Sequence, residues 1–359
     1  MKIHQILPCF RDGDAIGNHT LEIQRIIRSW GYESRIFADD IHDDMRALAK
    51  SYKKLKGRAL RDAILIYHFS VGSDVSEFIK SLPNKKILIY HNITPASFLR
   101  GYDDYIREIL EQGRDELKLF IGLCDLALAD SEFNRLELAE MGFKNTGVLP
   151  IILNFDKYTH APDPKIINQY DDDAQNIMFV GRIVPNKCQE DIILAFYFYK
   201  TYLNPKSRLF LIGMRGIERY DLMLEELVQK LQLDDVYFPG LITDAELAAY
   251  YQIADLLLCL SEHEGFNVPL LEAMYANIPI LAYNATSIPY TLDGAGVLIN
   301  QKRYEEIAEM MDIVMTNRTL RAQILIGQSQ RLEFFQKPRL EKLLKLYLDQ
   351  FMNEAYTLS

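Results

Sequence analysis

The sequence predicts an α/β protein of two doubly wound, parallel-sheet domains joined by a linker and facing a central cleft. Three observations predict it. The chain has 359 residues, about two domains at roughly 150 residues each. Short apolar runs alternate with amphipathic segments throughout, as in a parallel sheet covered on both faces. That alternation breaks once, over 150–175, where Pro162, Pro164, Asn168 and Asp171-Asp172-Asp173 stand without periodicity, and then restarts. The expected domains are 1–165 and 166–337.

In the first half, strands are expected at 3–7, 34–38, 63–68, 86–90, 126–129 and 147–149, each a short apolar run bounded by polar or turn residues. Helices are expected near 18–30, 103–122 and 134–141, where apolar residues recur three and four apart. The stretch 150–175 reads as a linker, and its aspartate run as solvated charge. Strands are then expected at 176–180, 208–213, 236–239, 255–260 and 278–282, and helices at 190–202, 220–231, 244–251 and 269–275. From 304 to 352 the chain reads as wholly helical.

Apolar residues make up 49% and charged residues 25%, which excludes wholesale disorder and fibrous classes. No apolar run approaches the ~20 residues of a membrane span. The N-terminal apolar stretch is too short for a signal peptide, and the four cysteines lack CxxC spacing, so a cytoplasmic protein with reduced thiols is expected. A net charge of −10 argues against a nucleic-acid-binding surface. The seven histidines show no HxxxH or HxH spacing, so no metal site is expected.

Two loops carry the chemistry. Ser261 to Met274 follows an apolar strand and opens a helix at Pro269, which turns backbone N–H groups and a positive helix end toward the space above the sheet. Glu264 and Glu272 bracket that turn and suit sugar hydroxyls better than phosphate. The second loop, Gly181-Arg182 to Asn186-Lys187, follows the first strand of the second half. Gly181 lets the chain turn, while Arg182 and Lys187 offer a forked donor and a point charge for a diphosphate. Taken singly, each loop also reads as a capped helix or a solvated basic turn.

Together these residues resemble the retaining glycosyltransferases of family 4, in glycosyltransferase group 1. The resemblance rests on Gly181-Arg182, Asn186-Lys187, and Glu264 and Glu272 with seven residues between them. It adds Leu211-Ile212-Gly213, Phe238 to Ile242 with Glu246-Leu247 behind, and Asn277 to Ala282. The family implies the GT-B fold, two Rossmann-like domains, with a last helix (338–359) returning to complete the first. It implies transfer of a hexose, mannose or similar, from a GDP- or UDP-linked donor to a glycan or polyprenyl-diphosphate-linked acceptor in cell-surface polysaccharide or glycolipid synthesis. No metal or cofactor is implied, the nucleotide sugar being a substrate.

By resemblance, Arg182 and Lys187 bind the diphosphate and stabilise its departure, and Glu264 hydrogen-bonds the donor sugar. The backbone of Phe266, Asn267 and Val268 cradles sugar and phosphate, Glu272 holds the ribose, and Ile242 meets the nucleobase. Gly181 and Gly17 approach the donor phosphates, and His91 lines the reaction centre. Asp130-Ser131-Glu132 is a weaker match on the acceptor side. Asn267 stands where many relatives have glycine, and Tyr290 where a glutamate is common. Alternatives are a GT-B-fold nucleotide-sugar epimerase and a non-catalytic nucleotide-sugar-binding module. An oxidoreductase is disfavoured because no GxGxxG follows a strand.

The segment 45–61 carries seven basic residues and no acid. A helical wheel puts Arg46, Lys50, Lys53, Lys54 and Arg61 on one face and Met45, Leu48, Tyr52, Leu55 and Ala59 on the other. The expectation is a crossover helix packed on the sheet, its basic face available for peripheral contact with an anionic inner-membrane surface.

Overall fold

A computed structural model of the chain describes residues 1–11, 13–155 and 160–357, with side chains as far as 352. Asp12 lies outside the described residues. The chain forms two compact units. One comprises Met1–Ser97, Tyr105–Asn154 and the chain from Phe334 onward; the other comprises Phe98–Asp104 and Phe155–Glu333. The change of unit at 154/155 and the return at 334 stand ahead of the expected 165 and 338.

The first unit holds seven parallel strands: β1 (Lys2–Phe10), β2 (Ile36–Ile41), β3 (Ala49–Ser51), β4 (Ala63–Phe69), β5 (Lys86–Tyr90), β6 (Leu126–Ala129) and β7 (Thr146–Val148). Their order is β3-β2-β1-β4-β5-β6-β7, so the winding reverses between β1 and β4. The helices are α1 (Ala15–Ser29), α2 (Asp74–Ser81), α3 (Asp104–Lys118) and α4 (Glu132–Met141). Alternation along each strand divides the core in two. Ile3, Ile64, Ile66, Ile87 and Ile89 face α1 through Ile23, Ile26 and Ile27. Leu65, Tyr67, Phe69, Leu88 and Tyr90 face Val75 and Ile79 of α2, Leu117 of α3 and Leu138 of α4.

The C-terminal helix Lys337–Thr357 belongs to this unit. Its Leu340, Leu344, Leu348 and Phe351 enter the core beside Ile3 and Ile87, each worth about 2 kcal/mol of apolar burial. Tyr347 Oη donates to the Val148 carbonyl at 3.2 Å and accepts from its N–H at 3.1 Å. A Cβ at Gly147 would lie 2.6 Å from that hydroxyl, so only glycine admits the contact.

The expected helix over 45–61 is absent. Short 3-10 turns (Asp43–Met45, Tyr52–Lys54, Gly57–Ala59) flank β3, which extends the sheet edge by pairing Lys50 with Phe37. The segment still buries apolar side chains: Met45 and Ala49 join Ile36, and Tyr52 and Leu55 join Leu65. Leu48, expected on the apolar face, is half exposed.

The second unit runs α5 (Pro164–Tyr170), β8 (Gln175–Val180), α6 (Gln189–Phe198), β9 (Ser207–Ile212), α7 (Glu218–Lys230), β10 (Val236–Gly240), α8 (Asp244–Ile253), β11 (Leu256–Cys259), α9 (Val268–Tyr275), β12 (Ile280–Tyr283), α10 (Ile288–Leu292), β13 (Val297–Ile299), α11 (Tyr304–Thr316) and α12 (Arg318–Leu332). Its six strands are parallel, in the order β10-β9-β8-β11-β12-β13. The stretch expected as a linker therefore contains a helix, α5, with Pro164 in its first turn and Asp163 accepting from Lys165 N–H at 2.8 Å. In the aspartate run, Asp172 pairs with Arg208 at 2.6 Å rather than standing as free charge.

Candidate active site

Strands β8 and β11 are neighbours from which the chain leaves in opposite directions. Such a switch point opens a crevice at the carboxyl ends of the strands, where open α/β sheets bind ligands. The loop after β8 holds Gly181, Arg182 and Lys187; the loop after β11 holds Glu264, Phe266 and Asn267 and leads to Val268 and Glu272 on α9. The register Ile177 to Leu256 and Met178 to Leu257 brings the loops side by side.

Backbone geometry explains several residue choices. At Gly213, after β9, φ is +148° and a Cβ would lie 1.9 Å from the Gly181 carbonyl oxygen, so the two loops cross in a gap only glycine leaves. Asn267 sits at φ +71°, left-handed, just before α9. Asparagine is among the residues that tolerate this region best after glycine, so the chain keeps the backbone a glycine would give. Its amide donates to Cys259 Sγ at 3.2 Å.

The loops are stitched together. Asn186 accepts from Glu262 N–H at 3.0 Å and His263 N–H at 3.3 Å, and its amide donates to the His263 carbonyl at 2.9 Å. The Lys187 ammonium pairs with the Glu264 carboxylate, both largely shielded from water. Glu264 N–H donates to Thr286 Oγ1 at 2.9 Å. Glu272 is buried and accepts from Tyr251 Oη at 2.6 Å. Arg182 is exposed, and among the described residues its guanidinium forms no ion pair. Ile242, half buried, follows β10, two strands away from β8. The arrangement offers an exposed cation, a paired cation and acid, a helix N-terminus and a second buried acid. That suits a diphosphate flanked by hydroxyl-bearing groups.

Near this crevice, ligand atoms of Cys188, Asp191 and Glu262 lie within 4.8 Å of one another. The cation there is Lys302, which donates to Asp191 at 2.6 Å and Glu262 at 2.9 Å, while Tyr304 Oη gives Asp191 its other bond at 2.6 Å. Burial pushes the Cys188 thiol up to about 12, which keeps it protonated and a poor ligand.

In the first unit, Gly17 lies in the first turn of α1, its N–H donating to the Asp14 side chain at 3.2 Å. A Cβ there would meet the Arg11 carbonyl oxygen at 2.5 Å. His91 follows β5 directly, and its ring is closed to solvent. Its Nδ1 meets Asp130 Oδ2 at 2.8 Å and its Nε2 meets His68 Nδ1 at 2.9 Å. His68 Nε2 continues to Gln5 Oε1 at 2.9 Å. Gln5 cannot be turned round, because its amide nitrogen donates to the Thr20 carbonyl at 2.9 Å.

Hydrogen counting then constrains the chain. Three contacts need three hydrogens, Gln5 Oε1 supplies none, and two neutral imidazoles supply two. The third belongs to the Asp130–His91–His68 set as an extra proton. Burial holds the Asp130 carboxyl above the usual range against the opposing pull of His91, which favours a protonated acid at that end. Both ring nitrogens of His91 are thus engaged inside the protein. His68, Gln5, Asn186, Tyr251 and Thr286 were not expected as single functional residues, apart from Asn186 within its motif. Their roles arise from strand register and loop crossings.

The family described as Glycosyl transferases group 1 matches residues 163–327. The O-antigen chain mannosyltransferase B of Escherichia coli is 22% identical over 267 residues, covering 73% of this chain and 69% of that protein. The serotype-specific mannosyltransferase WbdA of Escherichia coli is 28% identical over 149 residues, 39% of this chain but only 17% of that longer protein. Among solved structures, HepE of Anabaena in complex with UDP superposes with a TM-score of 0.76 at 15% identity, covering 98% of this chain and 100% of that one. That likeness is one of fold, the GT-B arrangement of two Rossmann-like units. Over residues 163–327 the chain is therefore similar to the glycosyl transferases group 1.

Proposed function

We propose that the chain transfers a hexose, mannose or a similar sugar, from a GDP- or UDP-linked donor to a glycan or polyprenyl-diphosphate-linked acceptor, retaining the anomeric configuration and using no metal. The observation that carries this reading is the Lys187–Glu264 pair at the β8/β11 switch point, with Arg182 exposed in the same loop as Lys187 and Glu272 buried on the next helix. Mannosyl transfer is supported by the names of the two E. coli relatives, and a nucleotide-sugar donor by HepE, also solved with UDP-glucose.

In this mechanism Arg182 and Lys187 carry the charge that grows on the diphosphate as the C1–oxygen bond breaks. The acceptor oxygen bonds C1 on the same face, and its proton passes to the departing diphosphate oxygen. No protein nucleophile is required. Glu264 hydrogen-bonds the sugar as its ring gains positive character. Gly181 and the backbone of Phe266, Asn267 and Val268 surround the phosphates, Glu272 takes the ribose and Ile242 the base. In the first unit Gly17 gives phosphate access and His91 shapes the acceptor side, its ring held by Asp130 and His68. All seven basic residues of 45–61 are exposed and no acid stands among them, which supports peripheral contact with an anionic membrane. No helix among the described residues is long and apolar enough to cross one.

Labelled nucleotide sugars, incubated with and without an acceptor and followed by NMR of the product anomer, test the reading. Label should reach the acceptor with its configuration kept. An isomerised nucleotide sugar and no transfer would favour the epimerase. A thermal-shift panel of GDP, UDP, ADP and dTDP identifies the base, since a ligand at 100 times its Kd stabilises by about 2.7 kcal/mol.

A further inference from the structure

We propose that Thr286 is a positioning residue for Glu264, holding the acid in place through a strained turn. The inference rests on the donor-site reading above and adds to it a residue from a third loop, the one after β12.

Thr286 adopts φ +47°. Eight non-glycine residues among those described have positive φ, and five of them are Asn or Asp, whose short polar side chains tolerate the left-handed region. Thr286 is the one β-branched member, and a β-branched residue there is an outlier that surrounding structure must hold in place. What it gains is specific: its Oγ1 accepts the Glu264 N–H at 2.9 Å. Glu264 is buried, so that N–H would otherwise be an orphaned donor. The two residues before it are already tied to Asn186, in the loop of Lys187. Asn186 therefore sets one end of the acid's loop and Thr286 the other. Glycine at 286 would relieve the strain and lose the acceptor; serine would keep the acceptor and remove the branching.

The experiment compares the full chain with Thr286→Ser, Thr286→Gly and Thr286→Ala. It measures kcat for sugar transfer, the Kd of the nucleoside diphosphate, thermal unfolding, and hydrogen exchange at the Glu264 amide. Activity should follow the hydroxyl: kcat within about twofold in Thr286→Ser, and roughly tenfold lower in Thr286→Gly and Thr286→Ala, the worth of about one hydrogen bond. Nucleoside diphosphate affinity should stay within about twofold throughout, because the diphosphate and ribose groups are untouched. Stability should follow the backbone instead, with Thr286→Gly melting above Thr286→Ala. Exchange at the Glu264 amide should accelerate only in the two variants without a hydroxyl. Equal kcat in Thr286→Gly and the wild type overturns the proposal, as does a kcat that simply tracks melting temperature across the series. A wild-type chain that transfers no sugar from any donor overturns the donor-site reading and this proposal with it, and is recognised before any variant is compared.

Discussion

Lys187 and Glu264, 77 residues apart in sequence, neutralise each other across the switch point of the second sheet. The two groups assigned to leaving group and sugar thus balance one another before any donor arrives. Each is mostly shielded from water, so losing either partner strands the other in a poorly solvated place. Lys187→Met and Glu264→Gln should each lower unfolding free energy by about 1–3 kcal/mol. The double variant should lose less than the sum, by roughly 1 kcal/mol. Urea denaturation of the four proteins measures this, and additive losses would mean the pair is not coupled.

Arg182 should behave in the opposite way. It is exposed and without an ion pair among the described residues. Arg182→Ala should leave stability within about 0.5 kcal/mol of wild type. It should still weaken nucleoside diphosphate binding about tenfold to a hundredfold, the loss of one or two charge-assisted hydrogen bonds. Isothermal titration with GDP and UDP decides it; unchanged affinity removes Arg182 from the donor site.

The hydrogen count through Asp130, His91, His68 and Gln5 makes a prediction about one atom. If Asp130 is a protonated donor, Asp130→Asn supplies an N–H in its place and should cost under about 1 kcal/mol, whereas Asp130→Leu leaves His91 Nδ1 unpaired and should cost about 1–3 kcal/mol. A carboxylate facing a charged imidazole would make Asp130→Asn the expensive change, about 3–5 kcal/mol, by leaving a buried charge alone. Thermal and chemical unfolding of both variants separates the two cases.

Burial lowers His4 to about 4, its Nδ1 accepting Arg35 N–H at 3.2 Å. Unfolded, a histidine titrates near 6.5. As pH falls from about 6.5 to about 4, the unfolded chain binds a proton at this position that the folded chain refuses. The stability contribution is full above 6.5 and lost on acidification. His4→Asn keeps an acceptor and cannot titrate. Wild type should therefore lose stability relative to His4→Asn by about 1.4 kcal/mol per pH unit in that window. A difference that is flat with pH would contradict the assignment.

Much of this architecture is legible in the sequence because parallel strands are short apolar runs, and the site loops follow two of them. The runs at β5 and β6 match their expected bounds residue for residue. The three-residue strands β3 and β13 are too short to show a period. The segment 45–61 misleads for a physical reason. Met45, Ala49, Tyr52 and Leu55 are buried at helical spacing, but turns and an edge strand bury them as well as a helix would. Helix α5 had visible signals in Asp163 and Pro164, outweighed by its polar surroundings. The partners His68 and Thr286 could not be read, since only strand register and a loop crossing bring them to His91 and Glu264.

The division of labour between Glu264 and Glu272 is the most direct test of the donor site. Isothermal titration of the nucleoside diphosphate, with steady-state kinetics on the same preparations, compares wild type, Glu264→Gln and Glu272→Gln. If Glu272 holds the ribose, Glu272→Gln weakens nucleoside diphosphate binding. If Glu264 acts on the sugar, Glu264→Gln leaves that affinity nearly intact and lowers kcat roughly tenfold to a hundredfold, about 1.5–3 kcal/mol of transition-state stabilisation. Equal losses of affinity with no loss of kcat, or no effect in either variant, would contradict the assignment of this loop to a nucleotide-sugar donor.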